Sequence, residues 1–401
     1  MAREYKDSGI EWIGRIPKEW KTCRFKDFVF LRTAPSNSTN KIGLENLEGE
    51  SGHFVQTEGK FDGDGTQFYD GDVLYGKLRP YLRKVWLATF DGNAVGDFFV
   101  FKNKVNAFAK YVKWLFLSDG FSEAVNSSVY GAKMPRVSSE FILTLPYFLP
   151  SIYEQQRIAG YLDEKCGEID SLISLQEQMI AQLADYKQSV ITEAVTKGLD
   201  PNVEFVPSGI DWIGDYPKHW DLIKIGFIFD NLDYLREPIS AELRERNNPL
   251  YDYYGASGVI DKIDHYNVDD KVLLIGEDGA NLVMRNLPLV YKAEGKFWVN
   301  NHAHILKPKH DDYDYMAHAL EAANYRNYIT GSAQPKLSQE NLQAVKLPVP
   351  PINEQRRIAD YLDNKCAEID ALIVLKQQKI ETLKDYKKSL IYECVTGKKE
   401  I

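Results

Sequence analysis

Four cationic side chains, Lys77, Arg79, Arg83 and Lys84, fall within one short stretch, with Tyr75 and Tyr81 alongside. Such groups bind phosphate oxygens, and a guanidinium also fits the O6/N7 edge of guanine in a major groove. A solvated strand end would have the same composition. Lys133 and Arg136, in the turn GAKMPRVS, form a second candidate pair. Further along, Glu277, Asp278 and Asn281 lie in GEDGAN. Carboxylates there would accept from cytosine N4, and an asparagine amide would pair with adenine. The alternative is a plain tight turn. Arg285, Lys292 and Lys296 are placed to hold phosphates, and Asn300, Asn301, His302 and His304 end or line a strand. His302 and His304 share a face of an alternating segment, but no third ligand is spaced for a metal. A hydrogen-bonded or DNA-facing pair is the expectation. Gln334 and Lys336, in GSAQPKLS, complete the set.

Both groups of candidates occupy copies of one position. YKDSGIEWIGRIPKEW at 5–20 returns as FVPSGIDWIGDYPKHW at 205–220, and EQQRIAGYLDEKCGEIDSLI at 154–173 returns as EQRRIADYLDNKCAEIDALI at 354–373. The offset is 200 residues in each case, so Gly76 aligns with Gly276 and GKLRP with GEDGA. The turn GSAQPKLS aligns with GAKMPRVS, setting Gln334 and Lys336 beside Met134 and Arg136. One scaffold with opposite chemistry at one loop is what two different half-sites on duplex DNA would require. A pseudo-two-fold chain also suits a pseudo-two-fold ligand.

The elements that must position these loops alternate between mixed globular parts and long helices. Residues 1–150 and 199–350 are rich in glycine, aromatic and β-branched residues. Strands are expected at 72–75, 84–88, 98–102, 271–276 and 298–307, and helices at 107–119 and 313–323. Prolines at 146, 150, 348, 350 and 351 close the two parts. Segments 153–196 and 353–396 lack proline and repeat apolar residues at heptad spacing. The first seam is Leu162, Cys166, Ile169, Ile173, Ile180, Leu183 and Val190; the second is Leu362, Cys366, Ile369, Ile373, Ile380, Leu383 and Leu390. Gln176 and Lys376, and Lys187 and Lys387, interrupt both seams at matching places, as register-fixing polar residues do. A further set, Leu172, Leu175, Met179 and Tyr186 with Leu372, Leu375 and Tyr386, predicts a stripe wider than a two-helix seam. The linker 197–206 is too short to lead back along roughly 65 Å of helix, which predicts antiparallel pairing with the globular parts at opposite ends. The expected fold class is α+β: two mixed α/β recognition domains (1–150, 199–350) joined by two long antiparallel coiled-coil helices (151–198, 351–401) in a pseudo-two-fold internal repeat.

Composition narrows the class. A net charge of −9 weighs against a wholly basic DNA-coating protein but leaves room for a local basic face. Four cysteines, Cys23, Cys166, Cys366 and Cys394, show no zinc or CxxC spacing, which points to reduced thiols and a cytoplasmic protein. No apolar run approaches membrane-spanning length, and no signal peptide is evident. The sequence has no P-loop, no glycine-rich nucleotide fingerprint, no Asn-Pro-Pro-aromatic motif and no HExxH. DGDGT at 62–66 lacks the closing glutamate of a calcium loop, since Val73 stands there.

Taken together, the chain resembles the specificity subunit of type I restriction–modification enzymes over nearly its whole length. The resemblance rests on EQxRIAxYLD at Glu154–Asp163 and Glu354–Asp363, and on the SGIxWIGxxPxxW openings at Ser8–Trp20 and Ser208–Trp220. It also rests on GDVLYGKLRPYLRKVW at 71–86, YYGASGVIDKID at 253–264, and the duplicated layout. It implies a non-catalytic subunit whose two target recognition domains each read half of a bipartite site in double-stranded DNA. By the same resemblance, the helices set the spacer and dock two methyltransferase subunits, with restriction/translocase subunits as further partners. S-adenosylmethionine, ATP and magnesium are then expected on those partners, and none on this chain. A coiled-coil scaffold joining protein ligands is the competing expectation, and an unrecognised nuclease a third.

Overall fold

A computed structural model describes residues 3–36, 38–59, 61–131, 133–240, 242, 244, 250–331 and 334–401. The chain forms two compact units, the first discontinuous in sequence and the second continuous. One runs up to Glu177 and adds Gln377–Ile401; the other is Gln178–Lys376. Each therefore contains one mixed domain and part of both long helices.

In the first unit the sheet that carries the basic loop has the order β1 (Val29–Arg32), β4 (Phe98–Asn103), β2 (Val73–Gly76), β3 (Val85–Leu87). β2 is buried on both faces. Val73 and Tyr75 face the helix Ala109–Leu117, whereas Leu74 faces a second core with Phe68 and Trp86. Apolar residues are needed on both sides, so the strand reads as a continuous run rather than an alternation. A second four-stranded sheet, built around Gly65–Phe68 and Gly92–Val95, closes the outer core.

The second unit repeats the order as β5 (Phe229–Asn231), β10 (Ala303–Pro308), β8 (Val268–Gly276), β9 (Val290–Val299). It adds a hairpin, β6 (Tyr251–Gly255) and β7 (Gly258–Ile263), with β6 parallel to β9. Leu273 and Ile275 of β8 face one core, and Val272 and Leu274 the other.

The motifs that repeat most clearly build the joint between each domain and its helices. In the openings, Tyr5–Asp7 pairs with Arg15–Pro17 and Phe205–Pro207 with Asp215–Pro217 in matching register, and Trp20 and Trp220 are buried. Gln155, fully buried at the head of the first long helix (Ile152–Lys197), accepts from Phe108 N–H and donates to Asn106 O and Pro150 O. Gln355 does the same for Asp312 N–H and Pro350 O at the head of the second (Ile352–Val395). Asp163 gathers Lys110, Lys113 and the Trp114 indole N–H; Asp363 gathers Lys292 and His318.

Within each unit the two helices pair antiparallel. In the first unit Tyr161 lies under Lys399 and Asp170 pairs with Lys387 at 2.7 Å. In the second, Met179 meets Lys376 and Lys187 pairs with Asp370 at 2.7 Å. Numbers rise on one helix as they fall on the other, so the seam lysines fix register as their matching positions predicted. Seam residues Leu162, Cys166, Ile169, Val190, Leu362, Cys366, Ile369, Ile380 and Leu390 are buried. The widened stripe is a correction: Leu172, Leu175, Met179, Tyr186, Leu372, Leu375 and Tyr386 are exposed, because an antiparallel pair covers only the seam of each helix.

Candidate nucleic-acid interface

The aligned loops share one backbone. Lys77 N–H donates to Asp97 O at 2.9 Å and Glu277 N–H to His302 O at 2.8 Å. Arg79 N–H donates to Pro135 O at 2.7 Å and Gly279 N–H to Pro335 O at 3.0 Å. Leu78 bridges Arg136 as Asp278 bridges Lys336. Each loop after the central strand is thus sewn to the turn at 130–137 or 330–337. Ala132, Ser332 and Ala333 of those turns lie outside the described residues. The loops part after this. Gly76 N–H reaches Lys84 O, whereas Gly276 N–H reaches Leu289 O, so the second loop is five residues longer and holds the helical turn Asn281–Met284.

Charge reverses at the first shared position, where Lys77 stands in one loop and Glu277 in the other, while Arg136 and Lys336 keep a cation in both turns. In the first domain Asp97 is the hub: Arg136 grips it with Nε–Oδ1 at 3.2 Å and Nη2–Oδ2 at 2.9 Å, and Lys77 Nζ lies 3.7 Å away. Arg136 holds the Asp97 carboxyl below its ordinary range against the opposing effect of burial. In the second domain Glu277 is the hub, held by Arg236 and by Lys336 at 2.9 Å. Burial pushes its carboxyl up, but Lys336 and Arg236 reverse this and hold it below its ordinary range.

Several sequence candidates turn out to be internal. Tyr75 is 1% exposed, with its ring against Phe116 and Phe121. His304 is fully buried between the Asp233 carboxylate at 2.6 Å and Leu337 O at 2.8 Å. Asn300 is buried, and its Oδ1 accepts from His302 N–H. Glu277 is buried at its hub. These four are corrected from contact candidates to scaffold groups, since groups without accessible surface do not reach a base edge. Asn281 is tied at both ends of its amide to Leu287 and Pro288 of its own loop. Arg285 donates to Glu321 O and Ala323 O at the end of the helix Tyr313–Ala322, rather than facing phosphate. Arg83 is locked to Asp119 beside the end of the first domain helix, and Lys84 donates to Leu44 O at 2.6 Å. Lys292 pairs with Asp314, and Lys296 lies over the Tyr266 ring.

What remains at the surface is a shorter set. Arg79, Tyr81 and Lys133 are exposed in the first domain, with no side-chain partner among the described residues. Arg136 and Lys77 flank them, half-buried on Asp97. In the second domain Asn301 and Gln334 are exposed without side-chain partners among the described residues. Beside them His302 is fixed by Asp278 at 2.7 Å, and exposed Lys336 leans on Glu277. Asp97 and Arg236, which the sequence reading missed, organise the two loops. Their partners lie 39 and 41 residues away, so no local signal marks them.

Residues 217–385 match the model of the type I restriction modification DNA specificity domain. The matched stretch spans the loop at 277–288, its supporting sheet and much of the second long helix. The MjaVIII specificity subunit of Methanocaldococcus jannaschii is 22% identical over 96% of this chain and 94% of its own length. The EcoDI specificity subunit of Escherichia coli is 25% identical over 45% of this chain and 42% of its own. The chain spans less than half the length of the first curated relatives it matches. A solved chain from work on assembly and conformational transition of the type I R-M system shares the fold, with a TM-score of 0.76, 17% identity, and coverage of 95% of this chain and 98% of that one.

Proposed function

We propose that this chain is the DNA-specificity subunit of a type I restriction–modification complex, with each domain reading one half of a bipartite site. The observation that carries this is the pair of loops that start on the same backbone hydrogen bonds and carry different side chains. The scaffold is kept while the surface that would meet base edges is rewritten, from Arg79, Tyr81 and Lys133 to Asn301, His302 and Gln334. Arginine favours guanine, and asparagine and glutamine favour adenine, so the halves are built for different sequences. The long helices set the spacer and dock two methyltransferase subunits, and their exposed apolar residues supply surface for such partners. The chain does no chemistry of its own in this reading. Methyl transfer from S-adenosylmethionine belongs to the modification subunits, and ATP- and magnesium-dependent translocation and cleavage to restriction subunits.

The test is to map methylated adenines in cells that carry the partner methyltransferase, with and without this chain. A split motif that disappears with the chain is expected. A methyltransferase active on other sites, with no motif dependent on this chain, would overturn the proposal.

A further inference from the structure

The two domains also differ at the residue just before β4 and β10, whose carbonyl takes the first N–H of the loop. In the first domain this is Asp97, closed off by Arg136 and Lys77. In the second it is His302, whose backbone carbonyl takes Glu277 N–H as Asp97 O takes Lys77 N–H. His302 is held from three directions. Its N–H donates to Asn300 Oδ1 at 2.8 Å, its carbonyl accepts from Glu277, and its Nδ1 lies 2.7 Å from Asp278 Oδ2. The side chain is still 46% exposed, and Nε2 has no partner among the described residues. Asn301 precedes it at the surface, and the cation Lys336, bridged to Asp278, is already paired with Glu277.

This arrangement fixes more than the ring's direction. A carboxylate can only accept, so Asp278 keeps the proton of a neutral imidazole on Nδ1 and leaves Nε2 as the acceptor. The donors displayed in a major groove are the exocyclic amino groups of adenine N6 and cytosine N4. We propose that His302 Nε2, oriented by Asp278, accepts a hydrogen bond from such an amino group and thereby sets the identity of one base in the second half-site. His302 is then the specificity-determining residue and Asp278 its positioning residue. The inference rests on the specificity reading above and names the chemical group that one half of the site must present.

Two measurements test it. The first maps methylated adenines in cells carrying the partner methyltransferase and the wild-type, His302→Ala or Asp278→Asn chain. His302→Ala is expected to relax a single position of the second half-site and leave the first half-site as it was. Asp278→Asn, which frees the ring's tautomer, is expected to relax that same position; a purely structural role for Asp278 would weaken all positions together. A motif unchanged in both variants overturns the inference while the specificity reading stands. Absence of any chain-dependent motif for the wild type overturns both. The second measurement uses the wild-type complex, so it does not depend on variants folding. Duplexes lose one amino group of the second half-site at a time, with purine replacing adenine and pyrimidin-2-one replacing cytosine. One replacement is expected to weaken binding by roughly five- to a hundredfold, the range of one base-edge contact, and its identity tells adenine from cytosine. Equal binding to every such duplex overturns the inference.

Discussion

Arg79 occupies the left-handed region, φ +49°, where its counterpart Gly279 sits at φ +100°. Glycine takes that conformation freely, whereas an L side chain is strained there by about 1–2 kcal/mol. A strained arginine at a loop tip, with no side-chain partner among the described residues, is better explained by what it touches than by what it holds together. Arg79→Gly is expected to weaken DNA binding by about 1–3 kcal/mol or alter one half-site. Thermal unfolding should stay within about 1 kcal/mol of wild type, because relief of strain offsets the entropy of glycine. Unchanged affinity and motif would remove Arg79 from the interface. Glu277 belongs to the opposite class. Glu277→Gln leaves Arg236 and Lys336 facing a neutral amide and is expected to cost about 2–4 kcal/mol in denaturant unfolding. The carboxyl titrates below its ordinary 4.5 in the folded protein. Its contribution is therefore complete above 4.5 and is lost as pH falls through the lower, folded value. An acid-unfolding profile of Glu277→Gln that overlays the wild type would contradict this. At this scale the sequence was a partial guide. It found the loop, but Tyr75 was not legible as internal, because a strand buried on both faces erases the alternation that separates inside from outside. Asp97 and His302 could not be matched by the 200-residue offset, because the longer second loop shifts the following strand by five.

The elements were far more legible. Heptad spacing reports helix packing locally, so the long helices were found to within a residue or two of Ile152–Lys197 and Ile352–Val395. The exposure of Leu172, Leu375 and their neighbours was not legible, since spacing shows which residues share a face but not whether anything covers it. Four residues added to each helix would lengthen it by about 6 Å. The preferred spacer is expected to grow by about one to two base pairs, read from the methylation motif, and an unchanged spacer would sink the ruler role. The joint between domain and helix makes a second prediction. Asp163 meets Lys113 in one unit, whereas Asp363 meets His318 in the other. Burial lowers the His318 pKa from its ordinary 6.5, although Asp363 opposes the shift. The unfolded chain then takes up the proton first, so the second unit loses stability as pH falls below 6.5 toward the folded value. Resolved thermal transitions at pH 7.5 and 5.5 should show it, and His318→Gln should remove the difference. Equal dependence in wild type and variant would contradict the assignment.

Across the whole molecule the net charge is −9, and most cations near the proposed DNA-reading loops are already paired. Few remain to displace counterions from phosphate, so the salt dependence of binding should be modest. Lys133→Ala is expected to reduce the slope of log affinity against log salt by about one. An unchanged slope would place Lys133 off the phosphates. The duplicated plan was legible from the repeat alone. The interleaving was not, because it depends on which stretches of helix pack against which domain.

That interleaving has a consequence in time. Ile158, Leu162 and Cys166 share a core with Leu390, Ile391, Cys394 and Val395, and Tyr147 donates to the carbonyl of Val395 at 2.5 Å. A ribosome emits roughly 5–20 residues each second, so the first domain waits on the order of tens of seconds for the segment that completes it. The second unit, Gln178–Lys376, is contiguous and closes as it emerges. The domain made first is therefore finished last, and a nascent chain stalled before residue 390 would present its unfinished apolar floor to whatever protease or chaperone arrives.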